Sequence, residues 1–172
     1  YDSASDQPER IYEEERAEIA TVMAPYTWYP QRMGRVDMLV ERAKALGKYD
    51  DPATRQEIAK VLTLAKSAEW TARRARAASA AGKPQGPEGS IGKLAASIVA
   101  RAANLAHTTI AGPDAMLTGD DDGTGGVVAE ILVSTPAISI AGGTDEIQRN
   151  IISERILKMP KEMRTDTDRP FR

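Results

Sequence analysis

The stretch from Asp51 to about Ala81 limits most severely what this chain can become. Ile58, Leu62, Ala65, Ala68, Ala72 and Ala75 recur at helical spacing, Asp51 stands where an N-cap belongs, and Pro52 fills the first helical position. At 1.5 Å per residue such a helix is about 45 Å long. Gly82 to Gly86, with Pro84, supplies a turn, and a second long pattern runs from about Ser90 to Ala111, with Ile91, Leu94, Ala95, Ile98, Ala102, Leu105 and Ala106 as its stripe. Gly112-Pro113 stops it. Strand signals are weak: aromatic residues make up 5% of the chain and period-two alternation is hard to find.

The remaining segments continue the helical pattern. A first helix is predicted from about Pro8 to Met23, with Asp6 as N-cap and Ile11, Tyr12, Ile19 and Val22 forming a mainly apolar face. Glu15 falls in the middle of that face and Glu18 at its edge. Pro25 and Pro30 flank Tyr26 to Tyr29 and break the helix. A second helix is predicted from about Gln31 to Leu46, ended by Gly47. After a loop containing Asp120 to Asp122 come a helix from about Val127 to Ser139, which Pro136 would shorten, and a Gly142-Gly143 break. A last helix from Thr144 to about Lys158 is expected to turn Ile147, Ile151 and Leu157 inward. Long helices joined by short polar turns make an all-α, antiparallel helical bundle. Facing positions filled largely by alanine imply close packing. One domain over residues 1–162 and a polar tail over residues 163–172 are expected.

Composition removes several function classes. The chain of 172 residues fits one compact domain with an ordinary balance of 41% hydrophobic and 28% charged residues. A net charge of −2 gives no global field to recruit nucleic acid or an acidic membrane. There is no cysteine for a disulfide or thiolate metal site, and the single histidine, His107, rules out histidine-cluster metal sites and argues against a hydrolase triad. No apolar run approaches the roughly 20 residues of a membrane span, so a cytoplasmic location is the expectation. The start at Tyr1-Asp2-Ser3, without an initiator methionine, is what a fragment of a larger protein would show. Pattern alone names no reaction.

The segment Gly142-Gly143-Thr144-Asp145-Glu146-Ile147-Gln148-Arg149-Asn150-Ile151-Ile152-Ser153-Glu154-Arg155, continued by Ile156-Leu157-Lys158-Met159-Pro160, closely resembles the C-terminal signature of acyl-CoA dehydrogenases. Pro87 to Leu94 resembles the turn into that family's penultimate long helix, and Asp51 to Gln56 the start of the preceding one. The resemblance implies the C-terminal helical bundle of an FAD-dependent enzyme that oxidises an acyl-CoA thioester to the trans-2-enoyl form. A glutamate would take the α-proton and FAD would accept hydride from the β-carbon. It also implies assembly with the other domains of the enzyme and with like or unlike subunits into dimers or tetramers. By the same resemblance Thr144, Asp145, Glu146 and Gln56 contact FAD, and Gly142 and Gly143 border the acyl-CoA. Independently of the family, two glycines let a backbone approach a flat ligand, and Thr144 can cap the last helix, whose first amides favour an oxygen-rich group.

Many members of the family carry the catalytic glutamate just before the Gly-Thr of this signature, where this chain has Gly142. Another branch places the base on the first long helix of the domain, directly before an arginine, and Glu15-Arg16 matches that pair. Glu15 lies four residues after Ile11 and four before Ile19, on the apolar face, where desolvation would raise its pKa and suit it to abstract a weakly acidic proton. Arg16 would stand near the thioester. Read locally, Glu13 to Glu15 complement the helix dipole or pair with Arg10 and Arg16. Glu18 is the nearest rival for the base.

Contacts to a neighbouring subunit's FAD are eroded. The family's arginine and phenylalanine before the glycine that ends the second helix are replaced by Ala43-Lys44-Ala45-Leu46, with Arg42 one position off and Lys44 lacking a planar fork. A second reading follows, in which the chain is the assembly domain of a non-catalytic subunit that braces an active partner. The Asp120 to Asp122 run lacks the spacing of a calcium loop, Arg73, Arg74 and Arg76 with Lys66 read as a solvated face, and His107 reads as a packing or surface residue.

Overall fold

The computed structural model describes residue 17 and residues 30–84, 86–119, 123 and 126–161. The chain divides into two compact units, Tyr1–Pro30 and Gln31–Arg172, and the account below concerns the second. The predicted first helix apart from residue 17, Tyr26 to Tyr29, the Asp120 to Asp122 run and the tail over 163–172 lie outside the described residues.

Every element described is helical. After 3-10 turns at Pro30–Met33 and Val36–Met38 come five α-helices: α1 (Leu39–Ala45), α2 (Pro52–Ala80), α3 (Glu88–Ala111), α4 (Val127–Ile138) and α5 (Asp145–Arg155), with a further 3-10 turn at Gly112–Met116. α2 starts as expected: the Asp51 carboxylate accepts the Thr54 N–H at 2.7 Å, and Pro52 needs no amide partner there. Gly47 ends α1, with Gly47 N–H donating to Lys44 O and Lys48 N–H to Ala43 O. Pro136 lies inside α4, which continues to Ile138.

α3 is the centre, packing against α1, α2, α4, α5 and the Gly112–Met116 turn. Its buried residues are Ser97, Ala100, Ala102, Ala103, Ala106, His107, Ile110 and Ala111. These side chains are mostly small, so neighbouring backbones approach closely. The main core joins Ile58 and Val61 of α2, Leu39 and Ala43 of α1, and Ala102, Ala103, Ala106 and Ile110 of α3. Ala111, Ala115 and Val128 form a smaller one.

Several expectations need correction. The predicted helix from Gln31 to Leu46 is interrupted at Gly34, which has φ +81 and rests on α3 so closely that a Cβ would lie 2.7 Å from the Ala103 Cβ. Leu62 and Leu105 were placed in the core stripes, yet they are 45% and 50% exposed. The last helix ends at Arg155, short of the expected Lys158; Ile147 on it and Leu157 beyond it are exposed, and the buried residues of α5 are Asp145 and Gln148. On α3 and α5 an outward leucine or isoleucine carries the hydrophobic signal while small or polar residues fill the interface.

His107 is fully buried and holds the Gly34 turn. Its Nε2 lies 3.1 Å from both Gly34 O and Arg35 O, and since carbonyls only accept, Nε2 carries the proton. Burial pushes the imidazole pKa below its ordinary value, against the pull of the two carbonyls. The unfolded chain therefore binds a proton that the folded chain refuses. Stability from His107 is complete above the unfolded pKa of about 6.5 and is lost as pH falls toward the folded value, by up to about 1.4 kcal/mol per pH unit. Urea unfolding between pH 7.5 and 5 should show this loss in the wild type. The difference curve against His107→Gln isolates it, because the chain has no other histidine. Parallel curves for the two proteins would refute the assignment.

Candidate functional site

Between α4 and α5 the chain makes a tight turn through Ile140 to Thr144. Thr144 is the N-cap of α5, its hydroxyl accepting the Ile147 N–H at 3.3 Å. Gly142 and Gly143 have φ +69 and +96, a region that side chains other than glycine rarely enter. Their surroundings differ. A Cβ at Gly143 would lie 2.7 Å from Gln148 Nε2, whereas one at Gly142 would meet nothing within 4 Å. Gln148 Nε2 is the atom that braces the turn, donating to Gly142 O at 3.1 Å. The turn is thus fastened on its inner side and open at Gly142. That fits the approach of a flat ligand to bare backbone, with the first turn of α5 adding amides suited to an oxygen-rich group.

Beneath the turn lies a buried polar cluster. Asp145, the first residue of α5, is 2% exposed. Its Oδ1 accepts from Lys93 Nζ at 3.2 Å and its Oδ2 from Ser97 Oγ at 2.8 Å, while Arg101 Nη1 forms an ion pair with Oδ2 at 3.0 Å. Ser97 has one hydroxyl proton and gives it to Asp145. Across the 2.7 Å between Ser139 and Ser97, Ser139 is therefore the donor. Arg101 Nη1 also reaches Ser139 Oγ at 3.4 Å. Burial pushes the Asp145 carboxyl up, but the Ser97 hydroxyl, the Lys93 ammonium and the Arg101 guanidinium outweigh it and leave the group below the usual carboxylate range.

The expected site residues divide into separate groups. Gly142, Gly143 and Thr144 form the turn. Asp145 points inward, with both oxygens used within the chain. Glu146 is exposed and pairs with Arg149 at 3.3 Å. Gln56 is exposed on the first turn of α2, beside the C-terminal half of α3, whereas the turn is tied to the N-terminal half of α3. The structure does not bring Gln56 and the turn together. Glu15 and Arg16 lie outside the described residues. Arg42 is buried, and the Lys44 ammonium pairs with Glu41 at 2.9 Å. An open cleft of about 600 Å³, lined by residues including Arg74, Lys83, Ile91 and Ile156, lies at the far end of α5 and involves none of the expected site residues.

Sequence reasoning missed Lys93, Ser97, Arg101, Ser139 and Gln148. A signal for three of them was present: Lys93, Ser97 and Arg101 are spaced four apart and stack on one helical face.

Residues 16–157 match the family model described as Acyl-CoA dehydrogenase, C-terminal domain. The fold is similar to that of a chain in the crystal structure of the ChsE4-ChsE5 complex from Mycobacterium tuberculosis, with a TM-score of 0.58 and 23% sequence identity. The likeness covers 66% of this chain and 30% of that one, so the chain spans under a third of its structural neighbour. No curated protein matches the sequence.

The two glycines should respond differently to alanine. Gly142→Ala meets only the positive-φ cost, about 1–2 kcal/mol. Gly143→Ala meets that cost and displaces Gln148, for a total of about 2–4 kcal/mol. Urea unfolding of both variants tests the difference, and equal losses would contradict the bracing role of Gln148.

Proposed function

Since the chain belongs to the acyl-CoA dehydrogenase family, as its C-terminal helical domain, we propose that it serves in the α,β-dehydrogenation of an acyl-CoA thioester, with Glu15 as the base that takes the α-proton. The observation that carries this reading is the Gly142-Gly143-Thr144 turn, open at Gly142 and braced from within. In it, the turn walls the acyl-CoA and Thr144 and Glu146 contact FAD. Gln56 serves a different part of the flavin site, and Arg16 stands by the thioester. FAD, when bound, supplies the hydride acceptor. The domain extends over residues 1–162, with residues 163–172 as a tail, and it works with the remaining domains of its enzyme.

The state of the shared flavin contacts points to an unlike partner subunit. Arg42 is buried and the exposed Lys44, paired with Glu41 on the surface, has no planar fork, so neither reproduces the family's arginine. The structural neighbour is itself part of a complex of two named subunits. The same facts, with glycine at position 142, support the second reading, in which this chain braces an active partner and contributes no base.

Anaerobic bleaching of the flavin by acyl-CoAs, in the complete enzyme with its partner, separates the two. Glu15→Gln should slow bleaching by about 10²–10⁴-fold with flavin content unchanged. Bleaching at the wild-type rate in that variant would move the base to another residue and make this subunit structural.

A further inference from the structure

Asp145 sits where family resemblance expects a flavin contact, yet its carboxylate is 2% exposed and turned to partners within the chain. Both carboxylate oxygens are used by Lys93, Ser97 and Arg101, and its own N–H donates to Ser139 O at 3.1 Å. Ser139, immediately after α4, is bound to the same point of α3 through Ser97 Oγ, itself fully buried. The donors run in one direction, from Arg101 to Ser139, from Ser139 to Ser97, and from Ser97 to Asp145. The last residue before the turn and the first after it are therefore held together and anchored on one helix. The intervening Ile140 to Thr144 has little freedom left, and Gln148 removes more by holding Gly142 O.

From this geometry we infer that Asp145 is a positioning residue, touching neither flavin nor substrate, which with Lys93, Ser97, Arg101 and Ser139 sets the conformation of the Gly142-Gly143-Thr144 turn. The inference rests on the proposed function for what the turn is set to bind, though not for the tie itself. A charged anchor suits the task because its geometry is directional. One carboxylate answers two cations, and with Lys93 only 18% exposed the ammonium has little water to replace it. An apolar contact at this point would permit the small slides that alter a turn.

The test uses the complete enzyme with its partner and compares wild type, Asp145→Asn, Ser97→Ala and the double variant, well below their melting temperatures. Amide hydrogen exchange, read on peptides, should speed up at least tenfold over residues 139–148 in both single variants and stay unchanged over residues 58–68 of α2. The FAD dissociation constant and the KM for acyl-CoA should each rise about tenfold in both. The double variant should be no worse than Asp145→Asn, because the two residues act through one network. Unchanged exchange over 139–148 would overturn the inference. A weakened flavin affinity in Asp145→Asn that Ser97→Ala does not share would overturn it too, by making Asp145 a direct contact. A wild-type complex that binds no FAD, yet shows the local loosening in its variants, would refute the proposed function and leave the tie standing. A variant that loses only melting temperature would make the cluster merely structural and sink the positioning role.

Discussion

The close approach of other helices to α3 is the constraint on which the rest depends. Ala100, Ala103 and Ala106 give that helix a face nearly free of bulk, and the neighbouring main chain comes down onto it. Gly34 lies so close to Ala103 that a Cβ there would clash, and His107 can then grip the carbonyls of Gly34 and Arg35. Larger residues at these positions would hold α1 and the preceding turn away, and the buried histidine would lose its acceptors. At its other end the same helix presents Ser97 to the start of α5. One helix thus holds both the structural turn at Gly34 and the candidate ligand-facing turn at Gly142.

The legible parts of the fold were those written in caps and breakers. Asp51-Pro52, Gly47, Gly82 and Gly112-Pro113 placed the ends of α1, α2 and α3 to within a few residues, because cap and stop chemistry acts locally. The buried faces were less legible. Reading for leucine and isoleucine finds Ile58 in the core, but Leu62, Leu105, Ile147 and Leu157 on the outside. Beside Leu39, Ile58, Val61 and Ile110, the interfaces use alanine, serine, histidine and aspartate, whose burial depends on neighbours distant in sequence.

The candidate site was legible in outline for the same reason. The Gly-Gly-Thr turn and its threonine cap are local features and stand where expected. The role of Asp145 was hidden, because its partners lie about fifty residues earlier in the chain and only folding brings them to it. The glutamate expected on the first helix is likewise a matter of tertiary surroundings, since a carboxylate becomes a base only through what desolvates it and what it faces.

The α2–α3 pairing and the tie at Asp145 also differ in how they can begin. α2 and α3 are joined by the short segment between Ala80 and Glu88, so their pairing can begin beside that turn, where the closing loop is small, and extend from there to the core at Ile58 and Ala106. The tie from Ser97 to Asp145 spans 48 residues and needs α4 already in place. Local pairs form early and distant ones late, so the helical hairpin is expected to nucleate folding. The turn at Gly142 would then be assembled among the last parts, and local opening would release it while the hairpin persists.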